Sequence, residues 1–197
     1  MIYYIGIAGK AGTGKDTVAD GLLDTLKHFN SCAIKIPLAY EVKKMAMAIW
    51  GFTNEEVYKT KPPHIREKLQ WLGTELIRTR DPDFWINQLV KNAKEHQIGC
   101  GKFPLFVLVP DIRFPNEATY FHQRGIVVKI TRDNPASAQA LDSRALGHES
   151  ELSVDLIKDD VVDLLIHNNF PSASALKNET SRAIIGKLLS KVYSDTR

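Results

Sequence analysis

Nine residues near the start of the chain, Gly9-Lys10-Ala11-Gly12-Thr13-Gly14-Lys15-Asp16-Thr17, are the ones whose types and spacing most directly do chemistry. Glycines spaced this way let backbone N–H groups turn inward without Cβ clashes. A helix opening at the end of the turn adds the partial positive charge of its N-terminus, and Lys15 adds a full one. Such a cradle binds phosphate groups. The pattern is G-x-x-x-x-G-K, the Walker A spacing, with one departure: Asp16 stands where Ser or Thr is usual, and Thr17 follows. The magnesium ligand is left open between Asp16, directly or through water, and Thr17.

Other groups gain meaning beside that loop. Leu105-Phe106-Val107-Leu108-Val109-Pro110-Asp111 is an apolar run ending in a carboxylate, a position that can hold magnesium through water in a phosphate-loop protein. Arg113 lies two residues on, ahead of the helix start Pro115-Asn116; a surface pairing with Glu117 is the plainer reading. Arg132 directly follows an apolar run, and Arg144 lies further along the same polar segment. Arginines closing over a transferring phosphoryl group offset its developing charge. Arg66, Gln70, Thr74 and Arg78 repeat at i, i+4, so they share one face of a helix. That face either binds a monophosphate and a base edge or is a solvated amphipathic surface. Trp85 either stacks on a base or packs in the core. His148 is no general base for a phosphate acceptor, whose oxygens are already largely ionised. With Glu151 it caps or holds a lid. No three ligands have zinc spacing.

The elements that position these groups follow from hydrophobic periodicity. Strands are expected at residues 2–8, 32–36, 103–109, 126–131 and 161–166. Most are near-continuous Ile- and Val-rich runs, as in a parallel sheet buried on both faces. Helical segments between them imply βαβ crossovers and a doubly wound α/β sheet of five strands. Residues 38–100 form a long helical insertion, with periodic segments near 39–50, 64–80 and 83–97, read as an acceptor-binding part. Residues 132–160, with Asn134-Pro135 and Gly147, are read as a lid. Leu176, Ile184, Ile185, Leu188, Leu189 and Val192 stripe a last helix, and the whole chain, residues 1–197, is read as one domain.

Composition narrows the class. The chain has 197 residues, 44% hydrophobic and 25% charged, with net charge +3, which is ordinary for a soluble globular protein and too mild to argue for a nucleic-acid polymer as partner. No apolar run approaches membrane-spanning length, and residues 2–8 are too short for a signal peptide. Cys32 and Cys100 lack metal spacing and are expected as two reduced thiols of a cytoplasmic protein.

Together the motifs resemble the P-loop deoxynucleoside monophosphate kinases typical of tailed bacteriophages. The resemblance rests on the Gly-Lys-Asp-Thr loop ending, on Arg66/Gln70/Gly73-Thr74-Glu75, and on Trp85. It rests also on Asp111-Ile112-Arg113-Phe114-Pro115-Asn116-Glu117-Ala118, Gly125, Arg132 and His148-Glu149-Ser150-Glu151. It spans about residues 2–170, and the Asp-x-Arg-Phe-Pro-Asn-Glu and His-x-Ser-Glu segments are its most diagnostic parts. It implies a nucleoside-monophosphate-kinase-like P-loop fold and transfer of the γ-phosphoryl group of ATP to a deoxynucleoside monophosphate, with magnesium. By position, Gly9, Ala11, Gly12, Thr13, Gly14, Lys15, Asp16 and Thr17 then hold ATP, with Asp16, Thr17 and Asp111 as metal candidates. Arg66, Gln70, Thr74 and Trp85 face the acceptor. Lys15, Arg113, Arg132 and Arg144 act on the transferring group. A kinase of another small acceptor, such as dephospho-coenzyme A, and an NTP-dependent switch are the rivals; a guanine-specific Asn-Lys-x-Asp motif is absent. Base preference, ribose discrimination and homodimerisation stay open.

Overall fold

The structure is a computed structural model that describes residues 1–133 and 148–195, with side chains through residue 191. Five strands, β1 (Ile2–Ala8), β2 (Cys32–Lys35), β3 (Leu105–Ile112), β4 (Gly125–Thr131) and β5 (Leu164–His167), form one sheet in the order β2-β3-β1-β4-β5. Every pairing is parallel, as the apolar runs require. β3 runs past Val109 to Ile112, so Asp111 is part of the strand rather than just beyond it. β5 starts at Leu164, after Asp163 has clasped the neighbouring strand. The Asp163 N–H donates to the Val127 carbonyl (2.8 Å), and its carboxylate accepts the Val127 N–H (2.9 Å).

Helices cover both faces. On one, α1 (Lys15–His28) and α7 (Ala173–Asp195) bury Val18, Leu22, Leu26, Ile184 and Leu188 against Ile5, Ile7 and Val128. On the other, α2 (Ala39–Trp50), α4 (Phe84–Gly99) and α5 (Pro115–His122) bury Val42, Ala46, Leu89 and Phe121 against Val107 and Val127. Between α2 and α4 comes α3 (Pro63–Gln70), which continues with wider, π-helical turns over Trp71–Arg78. A short helix α6 (Glu149–Leu152) precedes β5. Because all strands run the same way, their carboxyl ends gather at one edge, which puts the glycine loop, Asp111, Arg113 and Arg132 within one region.

Two findings differ from the sequence expectation or sharpen it. Cys32 and Cys100 are not free thiols but a disulfide, with Cα atoms 5.9 Å apart. β2 begins beside the C-terminal end of α4, a proximity that a separation of 68 residues hides. Gly125, the first residue of β4, sits where a Cβ would fall on the Tyr4 backbone carbonyl. Backbone cannot rotate away as a side chain can, so Gly125→Ala should cost about 2–4 kcal/mol and lower Tm by roughly 5–15 °C in a thermal melt. Among the described residues no helix is long and apolar enough to cross a membrane.

Candidate active site

The glycine loop leaves β1 at Ala8 and enters α1 at Lys15. Gly12 (φ 76°) and Gly14 (φ 100°) take left-handed conformations that other residues adopt only under strain, and this turns the loop sharply into the helix. Thr13 braces the loop by donating from Oγ1 to the Lys10 carbonyl (2.9 Å). Behind it, buried Asn168 donates from Nδ2 to the Thr13 carbonyl (2.8 Å). Lys15 is buried beneath the loop, its Nζ donating to the Lys10 carbonyl at 2.6 Å. Burial, and then the neighbouring Arg113 charge, bring its ammonium down to about 8, although Glu151, Asp16 and Asp111 pull the other way. A buried, under-compensated cation below a glycine loop is an anion site in physical terms.

Asp111 sits at the β3 edge and its carboxylate accepts the N–H groups of Leu38 and Ala39, both at 2.8 Å. It thus anchors the start of α2, the first helix of the insertion, to the sheet. Burial pushes this carboxyl up, while those two bonds and the charges of Arg113 and Lys43 hold it down. Burial lowers Lys43, which also lies in the fields of Asp111 and Asp16. Lys15 and Lys43 therefore both lie in the fields of Asp16 and Asp111. Carboxylate and hydroxyl oxygens, as on Asp16, Asp111 and Thr17, are of the hard donor class that magnesium takes. Among the described residues no cluster of three or more His, Cys, Asp or Glu side chains forms a metal site by itself.

Arg113 does not pair with Glu117 through its side chain. Its Nη1 donates to the Gly9 carbonyl (3.1 Å) and lies 2.8 Å from Glu151 Oε2. Glu117 instead accepts the backbone N–H groups of Arg113 (2.8 Å) and Phe114 (3.0 Å) and pairs with Arg78. Arg78 stacks on Phe114, 3.8 Å from the ring centroid. Its charge is thus committed to the protein, although the residue lies beside Gln70 and Thr74 as its i, i+4 spacing placed it.

A cavity of about 240 Å³ opens between loop edge and insertion, lined among others by Lys43, Gln70, Thr74, Asp111, Arg113 and Ser150. Arg66 does not line it but stands one turn before Gln70 on α3. Trp85 forms part of its wall as a core residue, 2% exposed, with its indole N–H donated to the Gly73 carbonyl at 2.8 Å. A second cavity of about 360 Å³ lies on the other flank of the loop, where Gly9, Lys10 and Thr13 meet Arg132 and Asp133. Arg113 and Arg132 therefore flank the loop from two sides. Arg144 lies outside the described residues. A hollow of about 390 Å³ beneath β2, between α2 and α4, contains no loop residue and mixes Lys35 and Lys44 with Glu41 and Glu95; nothing in it concentrates charge of one sign.

A curated protein of Acanthamoeba polyphaga mimivirus, named "Putative deoxynucleotide monophosphate kinase", is 28% identical over 187 residues, spanning 84% of this chain and 88% of that protein. The resemblance read from the motifs is borne out. Among solved structures, a shikimate kinase from Acinetobacter baumannii in complex with shikimate aligns with TM-score 0.51 at 17% identity, over 94% of each chain. A gluconokinase from Sinorhizobium meliloti 1021 aligns with TM-score 0.50 at 12% identity, over 99% of this chain and 98% of that one. The chain shares the α/β fold of these two structures. No family model matches it.

The kinase-like edge includes residues that sequence reasoning passed over. Asn168 directly follows β5, one residue past its apolar Leu164-Leu165-Ile166, a signal close to the one that singled out Asp111 and Arg132. Lys43 sits on an amphipathic helix and carries no local mark. Glu117 reads from the sequence as a surface partner of the Arg113 side chain and as part of the Asp-x-Arg-Phe-Pro-Asn-Glu motif, and its buried carboxylate, paired with Arg78, is visible only once α5 packs against the insertion.

Proposed function

We propose that the chain transfers the γ-phosphoryl group of ATP to the phosphate of a deoxynucleoside monophosphate, giving ADP and the diphosphate. The observation that carries this reading is that Arg113 joins two features. It contacts the glycine loop at Gly9 and lines the 240 Å³ cavity whose other wall presents Gln70 and Thr74. A γ-phosphoryl group held over Lys15 would face an acceptor standing in that cavity. The name of the mimivirus relative supports the acceptor class.

In the reaction an acceptor phosphate oxygen forms a bond to the γ-phosphorus as the bond from that phosphorus to the β–γ bridging oxygen breaks, and ADP leaves with the electron pair. The acceptor oxygen is already ionised, so no base is needed. Consistent with that, His148 Nε2 is engaged with Glu75 at 3.0 Å. Charge spreads over the γ-phosphoryl oxygens as the bonds loosen, and Lys15, the loop N–H groups and Arg113 offset it. Asp16 and Thr17, with Asp111 behind them, would hold magnesium, which neutralises phosphate charge when bound. Arg132 meets the phosphates from the other flank. Gln70 offers donor and acceptor to a base edge; Arg66 stands one turn before Gln70, outside the cavity lining, and would fork the acceptor phosphate by turning its side chain toward the cavity.

The test is ADP release in a coupled assay, with ATP and a panel of deoxy- and ribonucleoside monophosphates. Acceptor-dependent release is expected. ATP hydrolysis indifferent to every acceptor would assign a switch, and turnover with dephospho-coenzyme A alone would reassign the acceptor. In the same assay Arg66→Ala should raise the monophosphate KM by about 10- to 100-fold, the range of a charge-assisted bidentate contact, and leave the ATP KM within about threefold. An effect on ATP alone would move Arg66 out of the acceptor site.

A further inference from the structure

We propose that Glu151 is a positioning residue for Arg113: its carboxylate holds the guanidinium at the outer end of the phosphate loop. The inference rests on the function above and concerns the His148-Glu149-Ser150-Glu151 segment, to which that function gives no task. One carboxylate oxygen, Glu151 Oε2, accepts the Ala11 N–H at 2.9 Å and lies 2.8 Å from Arg113 Nη1. The same Nη1 donates to the Gly9 carbonyl at 3.1 Å. The guanidinium is thereby pinned to two residues of the loop, directly at Gly9 and through Glu151 at Ala11. Its backbone end is pinned independently, by Glu117 at the Arg113 N–H (2.8 Å).

The pair is shielded, with Arg113 21% and Glu151 13% exposed at the side chain, so it is stronger than an ion pair at the open surface. An arginine left free would lose rotamer entropy when it engaged a phosphoryl group. Fixing it beforehand removes that cost from the reaction step. Glu151 is itself held. It lies in α6, whose N-cap His148 accepts the Ser150 N–H at Nδ1 (3.2 Å). With Nδ1 accepting, Nε2 carries the proton and donates to Glu75 Oε1 (3.0 Å), on the π-helical continuation of α3. The carboxylate that sets Arg113 is therefore tied to the insertion that lines the acceptor cavity.

A competing role is a carboxylate that occupies the phosphate position and must be expelled by ATP. Glu151 takes a single N–H of the loop, at Ala11, ahead of the turn at Gly12 to Lys15, which favours positioning over competition.

The experiment is a double-mutant cycle on the full chain with Glu151→Gln, Arg113→Ala and the double variant. It reads kcat and both KM values, the dissociation constant of ATP by calorimetry, and a melt of each variant. Glu151→Gln should lower kcat by about 10- to 100-fold, with ATP affinity within about threefold and Tm nearly unchanged. In the Arg113→Ala background the same change should cost less than about twofold, because the residue it acts through is gone. Equal losses in both backgrounds, a kcat indifferent to Arg113→Ala, or ATP binding at least about tenfold tighter in Glu151→Gln would each overturn the proposal. A wild-type chain that transfers nothing to any monophosphate overturns the function and this inference together; a wild type that transfers with an additive cycle overturns this inference alone.

Discussion

Lys15→Met should abolish phosphoryl transfer and at the same time make the folded chain more stable. The two effects have one cause. Lys15 is 6% exposed, its ammonium pushed down to about 8 by burial and by Arg113, and among the described residues its hydrogen-bonded partner is the Lys10 carbonyl. A methionine of similar length keeps the packing, loses that hydrogen bond, worth about 1 kcal/mol, and removes the larger cost of a buried charge. The balance is a gain of about 1–2 kcal/mol near neutral pH, or a few degrees in Tm. Turnover should fall by at least about a thousandfold, because the cation that meets the phosphate charge is gone. The pH dependence follows from the sign of the shift. The unfolded lysine keeps its proton to its ordinary value of 10.5 and the folded one only to about 8, so between those values the unfolded chain binds more protons. Stability of the wild type therefore rises with pH across that window, and the gain from Lys15→Met shrinks there. Melts at pH 7 and pH 10, with the coupled assay alongside, check both halves. A destabilised Lys15→Met would mean that burying the Lys15 charge costs the fold little, and one that still turns over would mean that Lys15 is not at the site.

What the sequence made legible was local. β1, the glycine turn and the start of α1 are contiguous, and their residue types dictate the backbone they adopt. Asp111 and Arg132 were visible because polar residues that end apolar strands must lie at the carboxyl edge of a parallel sheet. The helices of the insertion followed from their period, and Gln70, Thr74 and Arg78 line one cavity as their spacing assigned, while Arg66 does not. What stayed hidden was long-range. Glu151 meets Ala11 across 140 residues and Arg113 meets Gly9 across 104, so no window of sequence contains either contact. The Cys32–Cys100 bridge is hidden in the same way. Trp85 shows a different limit: a tryptophan beside a ligand cavity and one in a core have the same sequence signature. Only the Gly73 carbonyl 2.8 Å from its indole nitrogen shows where its one donor is used.

Glu117→Ala should be the most damaging single change outside the loop, costing about 3–5 kcal/mol and roughly 6–20 °C in Tm. Glu117 is 1% exposed, and burial drives its carboxyl up against the pull of Arg78 and of the Arg113 and Phe114 N–H groups. Removing it leaves the Arg78 guanidinium facing Phe114 without a counter-charge, and the Nε of Arg78 already lacks a partner among the described residues. Two backbone N–H groups lose their acceptor as well. These losses can be separated. Replacing both charges, as Arg78→Met with Glu117→Met, removes the uncompensated cation but not the two orphaned N–H groups. Each such donor costs about 1–3 kcal/mol when buried, so the double variant should recover about half of the loss and no more. Activity should not recover with stability. The Arg113 N–H that Glu117 accepts fixes the start of the side chain whose far end reaches the loop, and the double variant leaves it unfixed. Assayed well below its Tm, the double variant should still show a reduced kcat. Full activity at restored stability would confine Glu117 to holding the fold together and leave the aim of Arg113 to Glu151 and Gly9.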